Sequence, residues 1–258
     1  MKTAWWTKTW NPMTGCTPVS EGCDHCWARR WARERCSKLG PAYSEFKPTF
    51  HLDRIQDPIH WRKPQRVAVS LMGDMFHTSH PWSLISRILD VAAACPQHQF
   101  FFLTKRSYNL FRYSVDWRDD RFVDPMTIPG GYFGVSVENQ MAADVRIPMV
   151  MRAEVPNRFL SIEPLLSPVK LAPYLAVPQR KEYGDPRPLC IGPSLDWVVV
   201  GAETGHDARP CDPDWIRSIR GECRDHKIPL YVKSLGDRKE IPLDLRIREL
   251  PDFRGENP

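Results

Sequence analysis

Three cysteines lie close together near the start of the chain, and their spacing is its strongest chemical signal. Cys16, Cys23 and Cys26 follow a C-x6-C-x2-C pattern in a turn-rich segment. Three thiolates can hold a metal ion or an iron–sulfur cluster while one coordination position stays open. An open position can bind a substrate or a cofactor, whereas a closed four-ligand site usually stabilises a fold. We therefore predict a metal or cluster site at these three residues.

The residues alone are compatible with two kinds of metal centre, a zinc ion or a 4Fe-4S cluster. Zinc needs a fourth ligand, and Asp24, His25 and Cys36 are the nearby candidates. His25 lies between two of the cysteines, which is a poor place from which to ligate the same ion. Cys36 lies about two and a half turns into the helix that we expect next. A 4Fe-4S cluster needs only the three thiolates.

The composition indicates a folded protein in a reducing compartment. The chain has 258 residues, is 42% hydrophobic and contains ten tryptophans, which is too apolar for a disordered chain. No apolar run approaches the roughly 18 residues that span a bilayer, and the start lacks a signal-peptide core. We predict a cytoplasmic protein with no membrane partner. Thiols stay reduced in the cytoplasm, so clustered cysteines there indicate metal binding rather than disulfides. A net charge of +5 is compatible with nucleic acid or small anions as partners.

A short apolar run followed by polar residues recurs along the chain. Continuous runs of this kind suit strands that are buried on both faces of a parallel sheet. They occur at residues 67–72, 100–104, 132–137, 158–162, 197–201 and 230–233, with a first strand expected at 7–11. Their spacing of about 30 residues is the length of a βα unit. We predict an α/β fold, a parallel (β/α) barrel that is partial and (β/α)6-like, with an extra C-terminal strand.

The predicted domain organisation is one barrel domain at residues 1–236. It begins with the cysteine loop and contains a proline-rich insertion at about 165–196, and a polar C-terminal tail follows at 237–258. Two helices have clear start signals. Pro81 sits just inside one start, while Asp212 can cap the other and Pro213 can open it.

Polar groups follow each predicted strand from the second to the seventh. In parallel barrels the carboxyl ends of the strands carry the chemistry, because the loops that follow them converge. The residues at these ends are Asp74, His77, Lys105, Arg106, Glu138, Asn139, Glu163, Glu203 and Lys233. The cysteine loop follows the first strand and should lie at the same mouth. This pattern predicts a ligand-binding cavity.

The residues also resemble a known family. Residues 10–16 and 23–28 are similar to the opening of the three-Cys-motif phage and bacterial proteins of uncharacterised function. Residues 70–77, 102–106, 134–139, 158–165 and 200–205 resemble the same family in the same order. That family is in turn similar to radical S-adenosylmethionine (SAM) enzymes, which use a partial (β/α)6 barrel.

This resemblance implies a specific chemistry. A 4Fe-4S cluster on the three cysteines would bind SAM through its open iron and generate a 5′-deoxyadenosyl radical that abstracts hydrogen from a substrate. By position, Asp74 would face the SAM amino group and Lys105 its carboxylate, with Ser136 and Glu138 at the ribose or amino group. Glu163 and Glu203 complete the predicted cofactor-binding set. The resemblance also implies a separately encoded partner protein.

Our first hypothesis is therefore a radical-SAM-like enzyme acting on a nucleotide or nucleic acid. The substrate class depends on the positive charge and on aromatic residues beside the cysteine loop, which can stack bases or simply pack the barrel. These aromatic residues are Trp5, Trp6, Trp10, Trp27 and Trp31. The second hypothesis is a non-catalytic, zinc-braced protein that binds nucleic acid or a partner. A third is a metal-free hydrolase that uses Asp74, Glu138 and Glu163.

Overall fold

Nine β-strands occur in the part of the chain that the structure, a computed structural model, describes, namely residues 4–116, 122–175, 195–236 and 240–251. In chain order they are β1 (Lys8–Trp10), β2 (Met13–Thr14), β3 (Thr49–Phe50), β4 (Arg66–Val69), β5 (Gln99–Thr104), β6 (Gly131–Ser136), β7 (Asn157–Ile162), β8 (Trp197–Gly201) and β9 (Leu230–Ser234). Seven of them form one parallel sheet in the order β1-β4-β5-β6-β7-β8-β9. This sheet curls into a half-barrel. β2 and β3 pair separately and antiparallel.

Helices connect the successive strands of the large sheet. They are α1 (Trp27–Arg35), α2 (Pro41–Ser44), α3 (Trp82–Ala93), α4 (Ser107–Asp116), α5 (Gln140–Arg152), α6 (Ala172–Leu175) and α7 (Pro213–Asp225). The longer helices α3, α4, α5 and α7 each lie between two neighbouring parallel strands, as βα units require. Across the described ranges, no helix is long and apolar enough to cross a membrane.

Both faces of the sheet are buried, each by its own cluster of apolar side chains. Successive residues of a strand point to opposite faces, so neighbours in sequence belong to different clusters. Phe100 and Phe102 of β5 belong to the large core that includes the helices, while Phe101 belongs to a second cluster. In that second cluster Trp5 contacts the rings of Phe101 and Trp197, with centroid distances of 4.9 and 5.3 Å. Aromatic side chains therefore fill the second face below the carboxyl edge of the strands.

The structure confirms the predicted fold class. All seven predicted strands are present, including the extra C-terminal strand β9, and their ends differ from the predicted ends by at most a few residues. Asp212 caps α7 by accepting a hydrogen bond from the Asp214 backbone N–H at 2.9 Å. Pro81 lies one position earlier than predicted. It is the N-cap of α3 in an extended conformation, and the helix begins at Trp82.

The predicted insertion and tail are described in part. Residues 176–194 of the insertion lie outside the described ranges, whereas Leu165 and Leu171 are fully buried in the main core. The described part of the predicted tail packs against β9. The Val232 N–H donates to the Ile247 carbonyl at 3.0 Å, and Leu245 is buried. The division into a domain at 1–236 and a tail at 237–258 stays a prediction.

We predict that Gly134→Ala destabilises the fold. A Cβ added at Gly134 in β6 would lie 2.5 Å from the ring and the carbonyl oxygen of Phe159 in β7, and neither can move freely inside the sheet. Overpacking of this kind lowers the free energy of unfolding by about 1–3 kcal/mol. Urea unfolding followed by circular dichroism measures the change.

The matched control is Gly221→Ala in α7. A Cβ at Gly221 meets no atom within 4 Å, so alanine should raise the free energy of unfolding by about 0.5–1 kcal/mol through its better helix propensity. An equal effect of the two substitutions would contradict this account of the sheet.

Candidate functional site

A cavity of about 220 Å³ lies at the carboxyl edge of the parallel sheet. Cys16, Cys23 and Cys26 all belong to its wall. The wall also contains polar residues at or after the carboxyl ends of the strands, namely Asp74, Lys105, Arg106, Ser136, Glu163, Glu203 and Lys233. The structure thus brings the predicted cysteines and five of the six predicted cofactor-binding residues to one cavity. The sixth, Glu138, is fully buried behind this wall.

The cysteine loop, residues 15–26, begins at a glycine that cannot be replaced without strain. Gly15 has a φ of 81°, and a Cβ there would lie 1.9 Å from the Lys47 carbonyl oxygen. Its N–H donates to the Met72 carbonyl at 2.8 Å, and the next N–H, of Cys16, donates to the Phe46 carbonyl at 3.1 Å. These bonds hold the first cysteine beside the loop that follows β4.

The three cavity cysteines are free thiols of intermediate exposure. Burial, together with the negative charge of Asp74, raises the pKa of Cys16 to about 11, although Arg106 opposes this shift. Cys16 is therefore a neutral thiol in the absence of a metal. Within the described ranges, no three Cys, His, Asp or Glu side chains lie close enough together to form a ready metal site.

Cys36 and His25, the candidate fourth ligands for zinc, make other contacts. Cys36 caps the end of α1 and is buried in an apolar cluster with Ala28 and Ala32. It is not part of the cavity wall. His25 lies on the wall, and its Nδ1 is 3.0 Å from the Glu203 carboxylate.

Asp74 connects the end of β4 to the cysteine loop through Arg106. One carboxylate oxygen accepts from the Thr104 hydroxyl at 2.7 Å, and the other accepts from the Arg106 guanidinium at 2.9 Å. The same guanidinium donates to Cys16 Sγ at 3.3 Å and to the Thr17 hydroxyl at 2.9 Å. Arg106 therefore holds a predicted ligand of the cluster in place from the end of β5.

Glu138 positions Lys105 at the cavity wall. Its carboxylate accepts from Lys105 Nζ at 2.7 Å and from the Arg146 guanidinium at 2.9 Å, and Lys105 also donates to the Ser136 hydroxyl at 3.1 Å. Burial alone would raise the pKa of Glu138, but the positive charge of Lys105 and the hydrogen bonds from both cations lower it. Gly22 of the cysteine loop lies directly over this pair, since a Cβ there would be 3.0 Å from Lys105 Nζ.

Glu203 forms the third ion pair, with Arg209. The Arg209 guanidinium donates to both carboxylate oxygens, at 2.9 and 2.6 Å, and also to the Glu21 carbonyl in the cysteine loop at 2.9 Å. Burial would raise the pKa of Glu203, but the hydrogen bonds from Arg209 and His25 lower it to about 2. The carboxylate is therefore ionised and binds the loop to the end of β8.

Glu163 and Lys233 form the fourth pair, between the ends of β7 and β9. Lys233 Nζ lies 2.8 Å from the Glu163 carboxylate and 5.4 Å from the ring centroid of Trp6. The Ser136 hydroxyl donates to the Glu163 carbonyl at 2.9 Å. All four strand-end carboxylates thus have a cationic partner, which is the arrangement that buried charges require.

A comparison with protein families assigns the chain to one of them. A family model described as "Protein of unknown function (DUF5131)" matches residues 1–248. The chain belongs to the DUF5131 family. The family description mentions neither a three-cysteine motif nor a phage origin. The resemblance to the three-Cys-motif proteins and the phage origin therefore stay predictions. No curated protein matches the chain.

Solved structures show what the DUF5131 fold is similar to. Two point mutants of spore photoproduct lyase each match with a TM-score of 0.52 and 11% sequence identity. In both cases the match covers 87% of this chain and 75% of the other. At this identity the similarity establishes a shared α/β half-barrel architecture.

Sequence reasoning missed two cations of the DUF5131 site, Arg146 and Arg209. Arg146 is buried on the inner face of α5 together with Ile147 and Val150. An arginine beside apolar residues in the segment between two predicted strands was the available signal, because a charge that becomes buried needs a partner. Arg209 lies in an irregular loop six residues after Glu203, where no pattern marked it.

The tryptophans near the cysteine loop differ in how far they are exposed. Trp10 and Trp5 are buried, and the Trp10 Nε1–H donates to the Arg54 carbonyl at 2.8 Å. Trp6 lies on the cavity wall. Trp27 and Trp31, by contrast, are 44% and 48% exposed. The packing role thus accounts for Trp5 and Trp10 and leaves the two tryptophans of α1 unexplained.

We predict that Glu203→Gln weakens the fold in a pH-dependent way. The folded pKa of about 2 lies below the ordinary value of 4.5, so the stabilisation by Glu203 is complete above 4.5 and is lost as the pH falls towards 2. The variant should have a lower free energy of unfolding near neutral pH and a shallower decline on acidification. Urea unfolding at a series of pH values measures both.

Glu34→Gln is the control for this experiment. Glu34 is exposed on α1 and forms no ion pair with any described residue. Its replacement should leave the decline unchanged, and a decline in Glu203→Gln as steep as in the unaltered protein would rule out this role of the Glu203–Arg209 pair.

Proposed function

We propose that this DUF5131 protein is a radical-SAM-like iron–sulfur enzyme. The main support is that three free cysteines line one cavity with charged side chains from five strand ends. The fold adds support, because it is similar to that of spore photoproduct lyase, a radical SAM enzyme. Fold similarity alone does not carry a reaction from one protein to another. The cavity residues therefore carry the argument.

Cys16, Cys23 and Cys26 are the residues that would hold the cluster. Their chemistry fits it, since thiolates are the usual ligands of iron–sulfur clusters and three of them leave one iron open. With SAM bound, such a cluster would supply one-electron reductive chemistry of the radical type. The protein's part is to position the thiols, and Arg106 does so by donating to Cys16 Sγ at 3.3 Å.

Lys105 is the residue best placed to bind the carboxylate of SAM. Its ammonium group lies on the cavity wall, and Glu138 and Ser136 hold it there. Glu138 is fully buried and contacts Lys105, so we assign it to positioning rather than to direct contact with SAM. Asp74 remains the proposed partner of the SAM amino group, and Glu163 and Glu203 remain proposed cofactor-binding residues, each paired with a cation.

A nucleotide or nucleic acid is the proposed substrate class. The cavity wall carries apolar side chains, including Trp6, Leu71 and Leu103, beside the Lys233 ammonium. Flat apolar surfaces beside cations suit nucleobases and phosphates, because bases stack on aromatic rings and phosphates pair with cations.

The metal content of protein purified without oxygen tests the proposal first. We expect about four iron and four sulfide per chain, as a 4Fe-4S cluster contains, and their loss in Cys23→Ala. Cys36→Ser is the control and should keep the full iron content, because Cys36 itself does not line the cavity, although Cys16 and Cys26 pack against its cluster. One tightly bound zinc without sulfide, lost in Cys36→Ser, would instead support a zinc-braced binding protein.

Binding of SAM tests the role of Lys105 separately. Lys105→Ala should weaken SAM binding about tenfold, because a hydrogen bond to a charged group contributes about 1.5–3 kcal/mol and 1.4 kcal/mol is a factor of ten. Iron content should not change, since Arg146 still neutralises Glu138. Equilibrium dialysis with labelled SAM measures the affinity. Lys170→Ala, at an exposed position, is the control, and an equal loss there would refute the assignment.

A further inference from the structure

Helix α1 exposes two tryptophans on one face. Trp27 and Trp31 are four residues apart, so their side chains lie on the same side of the helix. Neither indole makes a ring contact with another described residue, whereas Trp5, Trp10 and Trp197 all do. Two half-exposed indoles side by side are costly to leave in water, and such patches mark interaction sites.

The same helix carries an excess of unpaired positive charge. Arg33, Arg35 and the following Lys38 are exposed and form no ion pair with the rest of the described chain. Arg35 lies on the same side of α1 as Trp31, and so does Glu34, the only carboxylate among these residues. Arg30 lies against Gly205. Arg29 has a structural role, because it donates to the Cys23 carbonyl at 2.9 Å. The exposed surface of α1 is therefore aromatic and basic.

This surface continues into the candidate site. Helix α1 begins at Trp27, directly after Cys26, and both residues belong to the cavity wall. Val19 of the cysteine loop is 45% exposed and lies on the same wall. A chain bound along α1 would thus lead into the cavity that holds the three cysteines.

We propose that the exposed face of α1 binds single-stranded nucleic acid and delivers one nucleotide to the cavity. Unpaired bases would stack on Trp27 and Trp31, while Arg35 on the same side of the helix would pair with phosphates and Arg33 and Lys38 would add positive charge nearby. A single strand fits better than a duplex, since bases within a duplex already stack on their neighbours and offer indoles no free face. An acidic partner protein would match the charge but would not need two adjacent indoles.

This inference rests on the proposed function only for the reaction at the cavity. Binding itself needs no cluster and no SAM, so it is measured on the full chain while the iron content of the same sample is determined independently. Failure of nucleic-acid binding and failure of the radical-SAM assignment are therefore separate results.

Fluorescence anisotropy with a labelled single strand of about 12 nucleotides tests the proposal. Trp31→Ala should weaken binding about tenfold, because stacking of one base contributes about 1–3 kcal/mol and 1.4 kcal/mol is a factor of ten. Trp31→Phe should restore most of the affinity. The double variant Arg33→Glu, Arg35→Glu should weaken binding and reduce its dependence on salt between about 50 and 200 mM.

Two variants on other helices are the matched controls. Arg224→Glu reverses an exposed charge on α7, and Tyr108→Ala removes an exposed ring from α4. Both should bind as the unaltered protein does, and circular dichroism should show that every variant is folded. The proposal is wrong if the unaltered protein does not bind the strand, if a duplex of the same sequence binds more tightly, or if the control variants lose as much affinity. If the α1 face binds an acidic protein and does not bind the strand, the face is a site for a partner protein and the proposal is wrong.

Discussion

Parallel pairing of the seven strands is the constraint on which the rest of the structure depends. Each strand of the large sheet runs in the same direction as its neighbours, so all seven carboxyl ends meet at one edge. An antiparallel strand at any position would send its terminal polar residue to the opposite edge. The convergence of Asp74, Lys105, Glu163 and Glu203 on one cavity follows from this direction, although these residues lie up to about 130 residues apart.

Charge neutralisation then determines how the cysteine loop lies on that edge. Buried carboxylates are tolerated only beside cations or several hydrogen-bond donors. In this protein three of the ion pairs at the strand ends also reach the cysteine loop. Arg106 contacts Cys16, Arg209 contacts Glu21, and the Lys105–Glu138 pair lies under Gly22. The ion pairs that stabilise the strand ends thus also hold the cysteine loop at the cavity.

The distribution of aromatic residues separates folding from recognition. Trp5 and Trp10 pack against phenylalanines of the sheet, where burial of their large apolar surface stabilises the fold. Trp27 and Trp31 remain half exposed on α1 beside unpaired cations. If the first pair contributes to the core and the second to binding, substitutions in the two groups should differ in kind, one lowering stability and the other affinity.

The sequence by itself determined the elements. Uninterrupted apolar runs predicted the parallel strands, because a strand buried on both faces leaves no polar alternation, and the cysteine spacing identified the loop with the predicted ligands. Only the tertiary structure decided which charges are partners. Arg146 and Arg209 lie eight and six residues from the carboxylates that they bind, on elements with no motif, and Glu138 proved to be a buried support for Lys105. Pairing of this kind depends on distances across the fold, which periodicity along the chain does not encode.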